Sequence, residues 1–318
     1  MDSRNVGSTG VCLSAVGLGG FELGPIDGAE PDVDNAVAVI EDCVDSGIDW
    51  LDTSENYNAS ANESLIGAAL DRISSEFKIA TKVAPGAAIT GGGSGFSHDQ
   101  VHQAVRGSLT RLGRDVIDVY MLHWPDDTGI PLEETWGAMG ELVDEGLVRA
   151  IGLSNYEPAD VERCHKQRHV DVLETGLSLI DYLHDREMIR RCGELGIASL
   201  IYEPIASGIL TNKSLEEVRA IWTGPWLESS FYKRLLSPGK GERSAAVADG
   251  IKPIAEELGA TVAQVAIAWV LHQPGVTSAI AGSRDGRHVS ENALAANLDL
   301  TNVMDRLEEL IPLGPTFA

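Results

Sequence analysis

Residues 116–123 read VIDVYMLH, a short and nearly continuous apolar run that ends on a histidine. Before it, Val101, Val105, Leu109 and Leu112 recur at helical spacing, and before those comes a second apolar run, FKIATKV (77–83), which carries Lys82. The alternation continues in both directions. AVGLGGF (15–21) and IDWLDTS (48–54) precede this pair, and VRAIGLS (148–154), VDVLETGLS (170–178), IASLIYE (197–203) and VTSAIAG (276–282) follow it, making eight strands. Between them lie helical patterns such as Val33, Val37, Ile40 and Val44. Ser97 with Gln100, Ser214 with Glu217, and Thr261 with Gln264 each fit a capping box, in which two orphan N–H groups are satisfied reciprocally. Apolar strands alternating with amphipathic helices call for a parallel sheet covered by helices, and eight such units favour closure into a (β/α)8 barrel. An open doubly wound sheet is the alternative, but Gly17 and Gly19 begin a G-x-G-x-x-G pattern that then fails. The segment RNVGSTGVCLS (4–14) reads as a β-hairpin turning at Ser8–Gly10 and placed to close the barrel floor. We read residues 1–318 as one domain.

With 43% hydrophobic and 23% charged residues, the composition is that of a globular protein. A net charge of −24 argues against nucleic acid or an anionic membrane surface as partner, so an anionic ligand must be held by local donors. Cys12, Cys43, Cys164 and Cys192 show no metal or C-x-x-C spacing and fit buried thiols in a reducing compartment. The N-terminus lacks an apolar leader, and no run reaches membrane-spanning length, so we expect a cytoplasmic protein. Nothing in the pattern indicates an oligomeric state.

In such a barrel the functional groups stand where strands end. The exits offer Asp52 followed by Tyr57, then Lys82, His123, Ser154 with Asn155, Glu174, Tyr202, and Ser283 with Arg284. Taken singly, Asp52 is a helix cap, Lys82 a solvated charge and His123 a histidine packed on Trp124. Together an acid, a phenol, a lysine and a histidine at one barrel mouth suit proton transfer to a carbonyl oxygen. An ammonium ~4 Å away at an effective dielectric of ~20 favours phenolate by ~4 kcal/mol, so Lys82 is expected to draw Tyr57 down toward neutral pH. Asp52 is expected to hold Lys82 charged.

The motifs LDTSENY (51–57), IATK (79–82), YMLHWP (120–125), IGLSNY (151–156), IYEPIASGILTNK (201–213) and AIAWVLHQPGVTSAIAGSRDGRHVSEN (266–292) resemble those of the aldo-keto reductases. The resemblance implies a (β/α)8 barrel that binds NADP(H) in extended form and moves a hydride between nicotinamide and a carbonyl or alcohol. It implies a catalytic tetrad of Asp52, Tyr57, Lys82 and His123 with Tyr57 as general acid, and no metal. Ser154 and Asn155 then bond the carboxamide, Tyr202 stacks beneath the nicotinamide, and Gly20, Phe21 and Asp52 lie near its ribose. Ser283 and Arg284 grip the adenosine phosphate with Arg287 close by, and Glu291 and Asn292 contact adenine.

Two positions depart from the family pattern: Glu174 stands where Gln is usual and Glu203 where Ser is usual. An ionised Glu174 beside the ring would favour the oxidised nicotinamide and alcohol oxidation. Arg284 favours NADP over NAD, while Glu203 counts the other way. Phe21, Tyr57, His123 and Trp124, with the aromatic segment 219–245, frame a pocket for a ring-shaped, partly apolar ketone, aldehyde or sugar. The chain's end at Phe317-Ala318 implies no long C-terminal substrate loop. Two rivals remain: a metal-dependent barrel hydrolase using the His98/His102 or His165/His169 pairs, which lie on helices rather than strand exits, and a non-catalytic NADP-binding sensor or partner subunit.

Overall fold

The computed structural model describes residues 1–24, 30–86, 93–126, 128–180, 186–222, 233 and 235–311. Two short strands, β1 (Ser3–Asn5) and β2 (Cys12–Ser14), pair antiparallel. The expected hairpin is thus present, with its bend spanning Gly7–Gly10 and closed by the Val6 N–H donating to Val11 O at 2.9 Å. Eight parallel strands follow: β3 (Val16–Gly19), β4 (Trp50–Asp52), β5 (Lys78–Val83), β6 (Ile117–Leu122), β7 (Val148–Ser154), β8 (Val172–Gly176), β9 (Ala198–Tyr202) and β10 (Val276–Gly282). They close in the order β10-β3-β4-β5-β6-β7-β8-β9, so the (β/α)8 reading holds.

Among the described residues, the α-helices between and after these strands are α1 (Val33–Asp45), α2 (Ala61–Leu70), α3 (His98–Leu112), α4 (Leu132–Asp144), α5 (Pro158–Gln167), α6 (Arg186–Glu194), α7 (Leu215–Ile221), α8 (Lys240–Leu258), α9 (Val262–Leu271), α10 (Gly286–Leu294) and α11 (Met304–Glu308). The three expected capping boxes open α3, α7 and α9, each with both reciprocal bonds. Among the described residues no single helix is long and apolar enough to cross a membrane. Trp226, Phe231, Tyr232, Phe317 and Ala318 lie outside the described residues.

The barrel interior explains which end is available for chemistry. Val6, Val11 and Leu13 of the hairpin pack with Trp50, Val119, Met121, Val172 and Leu200 into a dry cluster that plugs the floor. Trp50 Nε1 donates to Ser14 O at 3.1 Å, and its ring lies so close to β3 that a Cβ on Gly17 would meet it at 2.2 Å. Gly17 is therefore a packing glycine that admits an indole. With the floor filled by apolar side chains, polar groups at the strand exits are left to build the opposite mouth.

Candidate active site

Strand register sets the centre of the mouth. Asp52 ends β4 opposite Ala80, and Lys82 lies two residues further along β5 opposite Met121 of β6, so both side chains enter the same layer. Lys82 is fully buried, and its Nζ donates to both Asp52 carboxylate oxygens at 2.6 Å and to Thr53 O at 3.0 Å. Tyr57 OH is 3.4 Å from the same nitrogen. The strand read as 48–54 ends at Asp52 because the chain then turns across the mouth, held by Thr53 N–H to Ala80 O and Glu55 N–H to Lys82 O. Just past Tyr57, Asn58, Ala59 and Ser60 all adopt left-handed φ (52°, 52° and 72°), a strained run where a functional loop is positioned.

His123 follows β6 and is anchored through Nδ1, 3.0 Å from Ser54 Oγ. Its ring meets Tyr57 edge-on at 5.6 Å and stacks on Trp124, while Phe21 meets Tyr57 edge-on from the other side at 5.1 Å. Burial, then the Lys82 charge, push the imidazole well below its ordinary range, so it is neutral.

Glu174 changes the charge balance. It ends in the same layer, with Oε1 3.4 Å from Lys82 Nζ and accepting from Ser154 Oγ at 3.2 Å. Burial, then the Asp52 carboxylate, push its carboxyl up to about 8, and burial raises Asp52 also despite Lys82. Burial works against the Lys82 charge, but Asp52, then Glu174 and Tyr57, hold the ammonium above the ordinary lysine range. For Tyr57 the outcome reverses the expectation from sequence: burial raises the phenol, Lys82 pulls it down, and Asp52 and Glu174 push it up again, leaving it above its ordinary value. A pairwise Lys–Tyr argument omits the burial of the phenol, which is the largest cause, and the two carboxylates that share the same ammonium. Nor does an ionised Glu174 describe the site at neutral pH, because its carboxyl holds a proton up to about 8.

From this centre a cavity of about 1760 Å³ runs past Tyr202 and the 203–213 segment to Arg284 and Asn292. Tyr202 OH donates to Asn155 Oδ1 at 2.7 Å, and Asn155 Nδ2 donates to Ser154 Oγ at 2.9 Å and to His123 O at 3.0 Å. Asn155 holds a left-handed φ of 65°, which asparagine tolerates better than most residues. Gly176 lies opposite Tyr202 in the β8–β9 register, and a Cβ there would stand 2.9 Å from the Tyr202 ring. Its missing side chain lets the ring sit against β8.

Glu174 Oε2 is buried with no hydrogen-bond partner, so the site leaves one carboxyl oxygen for a polar group such as a carboxamide. Ser283 Oγ donates to Asp285 O at 2.8 Å and lies with Arg284, Glu291 and Asn292 along the far end of the cavity. Gly20 N–H donates to Asp52 O at 2.7 Å, fixing the turn that presents Phe21. Glu203 bonds Ser207 Oγ and also borders the cavity.

Arg287 does not join them. It is exposed outside this cavity, with its guanidinium 2.8 Å from Asp285 Oδ2, because Asp285 caps α10 and draws in the side chain as well as the N–H of residue 287. The sequence reading missed Glu22, whose carboxyl presses against Gly282 and is pushed up to about 7 by burial. It also missed Ser54, Lys213 and Lys240. For Ser54, the signal was its place between Asp52 and Tyr57. For Lys213 it was the cation closing GILTNK.

Residues 15–311 match the model of the Aldo/keto reductase family. The chain is 27% identical to an NADH-specific methylglyoxal reductase of Escherichia coli (strain K12), over 93% of this chain and 94% of that one. It superposes on a glycerol dehydrogenase of Gluconobacter oxydans with a TM-score of 0.85, at 25% identity and covering 100% and 99% of the two chains. A holo aldo-keto reductase of Bacillus halodurans shares the fold at a TM-score of 0.80 and 23% identity, covering 99% and 98% of the two chains. The polar mouth of this barrel and the match along nearly its whole length lead to one assignment: the chain belongs to the aldo/keto reductase family of nicotinamide-dependent oxidoreductases.

Proposed function

We propose that the protein is an NADP(H)-dependent carbonyl reductase in which Tyr57 is the proton donor. The observation that carries this reading is the placement of Lys82 Nζ between the Asp52 carboxylate and the Tyr57 hydroxyl on the wall of a dinucleotide-sized cavity. A substrate carbonyl oxygen placed at the Tyr57 hydroxyl takes its proton as the carbonyl carbon accepts hydride, giving the alcohol and leaving phenolate beside Lys82. Bound along the cavity, the reduced dinucleotide supplies that hydride. Neutral His123 positions the carbonyl through the ring nitrogen that Ser54 does not hold. Trp124 and Phe21 flank the carbonyl's substituents, which suits a small, partly apolar ketone, aldehyde or sugar.

The charge balance favours reduction near neutral pH. Tyr57 starts protonated, as a donor must. Alcohol oxidation instead needs phenolate, which burial and the Asp52 carboxylate oppose. This is the opposite bias to the one expected from Glu174 as an ionised partner of the oxidised ring.

Arg284 at the far end of the cavity, with Lys213 and Lys240 along it, supports NADP(H). A specific observation favours NADH as second reading: Asp285 places a carboxylate in the same loop and occupies Arg287. The E. coli relative is named as NADH-specific. Steady-state kinetics with NADPH and NADH on a carbonyl panel, wild type against Tyr57→Phe, test the proposal. Turnover that falls ~10²-fold or more in the variant with dinucleotide affinity unchanged supports it. Equal turnover by both proteins refutes the role of Tyr57, and binding without turnover by either makes the protein a dinucleotide sensor.

A further inference from the structure

On the barrel exterior, α3 and α4 bring together three side chains that the reaction does not use. His98 and His102 lie one turn apart on α3, with rings stacked at 4.6 Å. Glu141 of α4 reaches both: its Oε2 is 2.9 Å from His98 Nε2 and 3.5 Å from His102 Nε2. The ligand atoms of all three lie within 4.8 Å of one another. Bonds of ~2.0–2.1 Å in tetrahedral geometry put neighbouring ligand atoms ~3.3 Å apart, so the two imidazole–carboxylate edges already have the required span.

A second feature concerns the other ring nitrogens. Imidazoles that ligate a metal through one nitrogen nearly always give the other N–H to a carboxylate or carbonyl, which fixes the tautomer. Here His98 Nδ1 is 3.3 Å from Asp99 Oδ1 and His102 Nδ1 is 3.6 Å from Glu145 Oε1. Both Nδ1 atoms face carboxylates, and both Nε2 atoms face the shared Glu141 oxygen. His102 Nε2 is also buried with no hydrogen-bond partner, although it sits beside that oxygen. A plain ion pair explains His98 and Glu141, whereas His102 Nε2 meets the same oxygen at 3.5 Å without a hydrogen bond.

We propose that His98, His102 and Glu141 form a binding site for a divalent transition-metal ion of the zinc class, clipping α3 to α4 outside the active site. Two imidazole nitrogens and one carboxylate oxygen select borderline ions such as Zn2+ over Mg2+ or Ca2+, which demand oxygen ligands. Water completes the coordination on the exposed side. Because the two histidines sit on one preformed helix, binding costs little ordering. The site is also proton-sensitive, since a proton and a metal ion compete for the same imidazole nitrogens.

Isothermal titration of the full chain with ZnCl2, after EDTA treatment and dialysis, tests the site at about pH 7.5. One saturable equivalent is expected, unaffected by excess Mg2+ and lost near pH 5.5. His98→Ala, at a half-exposed position that leaves folding intact, and Glu141→Gln are each expected to weaken binding at least ~10-fold, and Glu145→Gln by about that factor through the second nitrogen. Carbonyl reduction by the three variants should match wild type. Two results overturn the proposal: no one-equivalent saturable binding to wild type, or wild-type affinity retained in His98→Ala. Loss of binding in His169→Ala with His98→Ala unaffected also overturns it, by moving the site to the other histidine pair.

Discussion

Replacing Glu174 by glutamine tests the charge balance of the mouth directly. The side chain is 3% exposed, so Gln fills the same volume and the change is close to purely electrostatic. With Glu174 protonated, the buried cluster is Asp52 anion, Lys82 cation and a neutral acid. Once Glu174 ionises, two carboxylates share one ammonium and the cluster carries a net negative charge among buried side chains. The folded carboxyl sits at about 8 against an ordinary 4.5. The sign follows from linkage: a carboxyl raised on folding contributes stability below its unfolded value and loses that contribution as pH rises through the folded one. At ~1.4 kcal/mol per pH unit the full difference amounts to ~5 kcal/mol as an upper bound. Asp52 shares in the response and water penetration screens part of it, so we expect ~2 kcal/mol.

Urea unfolding of wild type and Glu174→Gln between pH 5 and 9 reads this out. The two should be nearly equally stable at pH 5. The advantage of Gln should grow from pH 5 to 8 and level off above that, with unchanged m-values showing that compactness is the same. A stability difference that does not vary with pH would refute the reasoning, because it would mean that Glu174 ionises like an exposed carboxylate. The kinetic counterpart has the same origin. Removing the Glu174 charge removes one of the groups that raise Tyr57, so the pH limit for alcohol oxidation should move to lower pH in the variant.

Lys82→Met leaves Asp52 and Glu174 buried without their cation, so stability should fall by ~3–5 kcal/mol at pH 8 and by less at pH 5, where the acids protonate; urea midpoints at the two values check it. Gly176→Ala places a methyl 2.9 Å from the Tyr202 ring, so dinucleotide KM should rise about tenfold with kcat changed much less, and an unaltered KM would remove Tyr202 from the dinucleotide site. Arg284→Ala should lower kcat/KM for NADPH by ~10–100-fold and for NADH by no more than a few-fold; equal losses with both would show that the guanidinium does not read the adenosine phosphate.

What could be read before folding depended on whether a residue's role is set by its own strand or by other parts of the chain. Lys82 and His123 were legible because each closes an apolar run of period-two backbone, and a barrel turns the end of such a run into a place at the mouth. The hairpin and the three capping boxes were legible for the same reason, since their partners lie within a few residues. The acidity of Tyr57 was not, because it is set first by burial in the folded mouth and then by Lys82, Asp52 and Glu174, which arrive from three strands and are separated by sequence distances that no local pattern spans. Counting one cation against one phenol gave the wrong sign; burial of the phenol, with the two carboxylates added, restores it. Arg287 misled in a milder way: its charge suits a phosphate, but an aspartate two residues earlier caps the helix and takes the guanidinium first. The glutamate at 174 was visible as a letter, yet its meaning came from Lys82 lying 3.4 Å away. With Asp52 against the same ammonium, it makes the proton inventory of the mouth a property of three strands together and of no one of them alone.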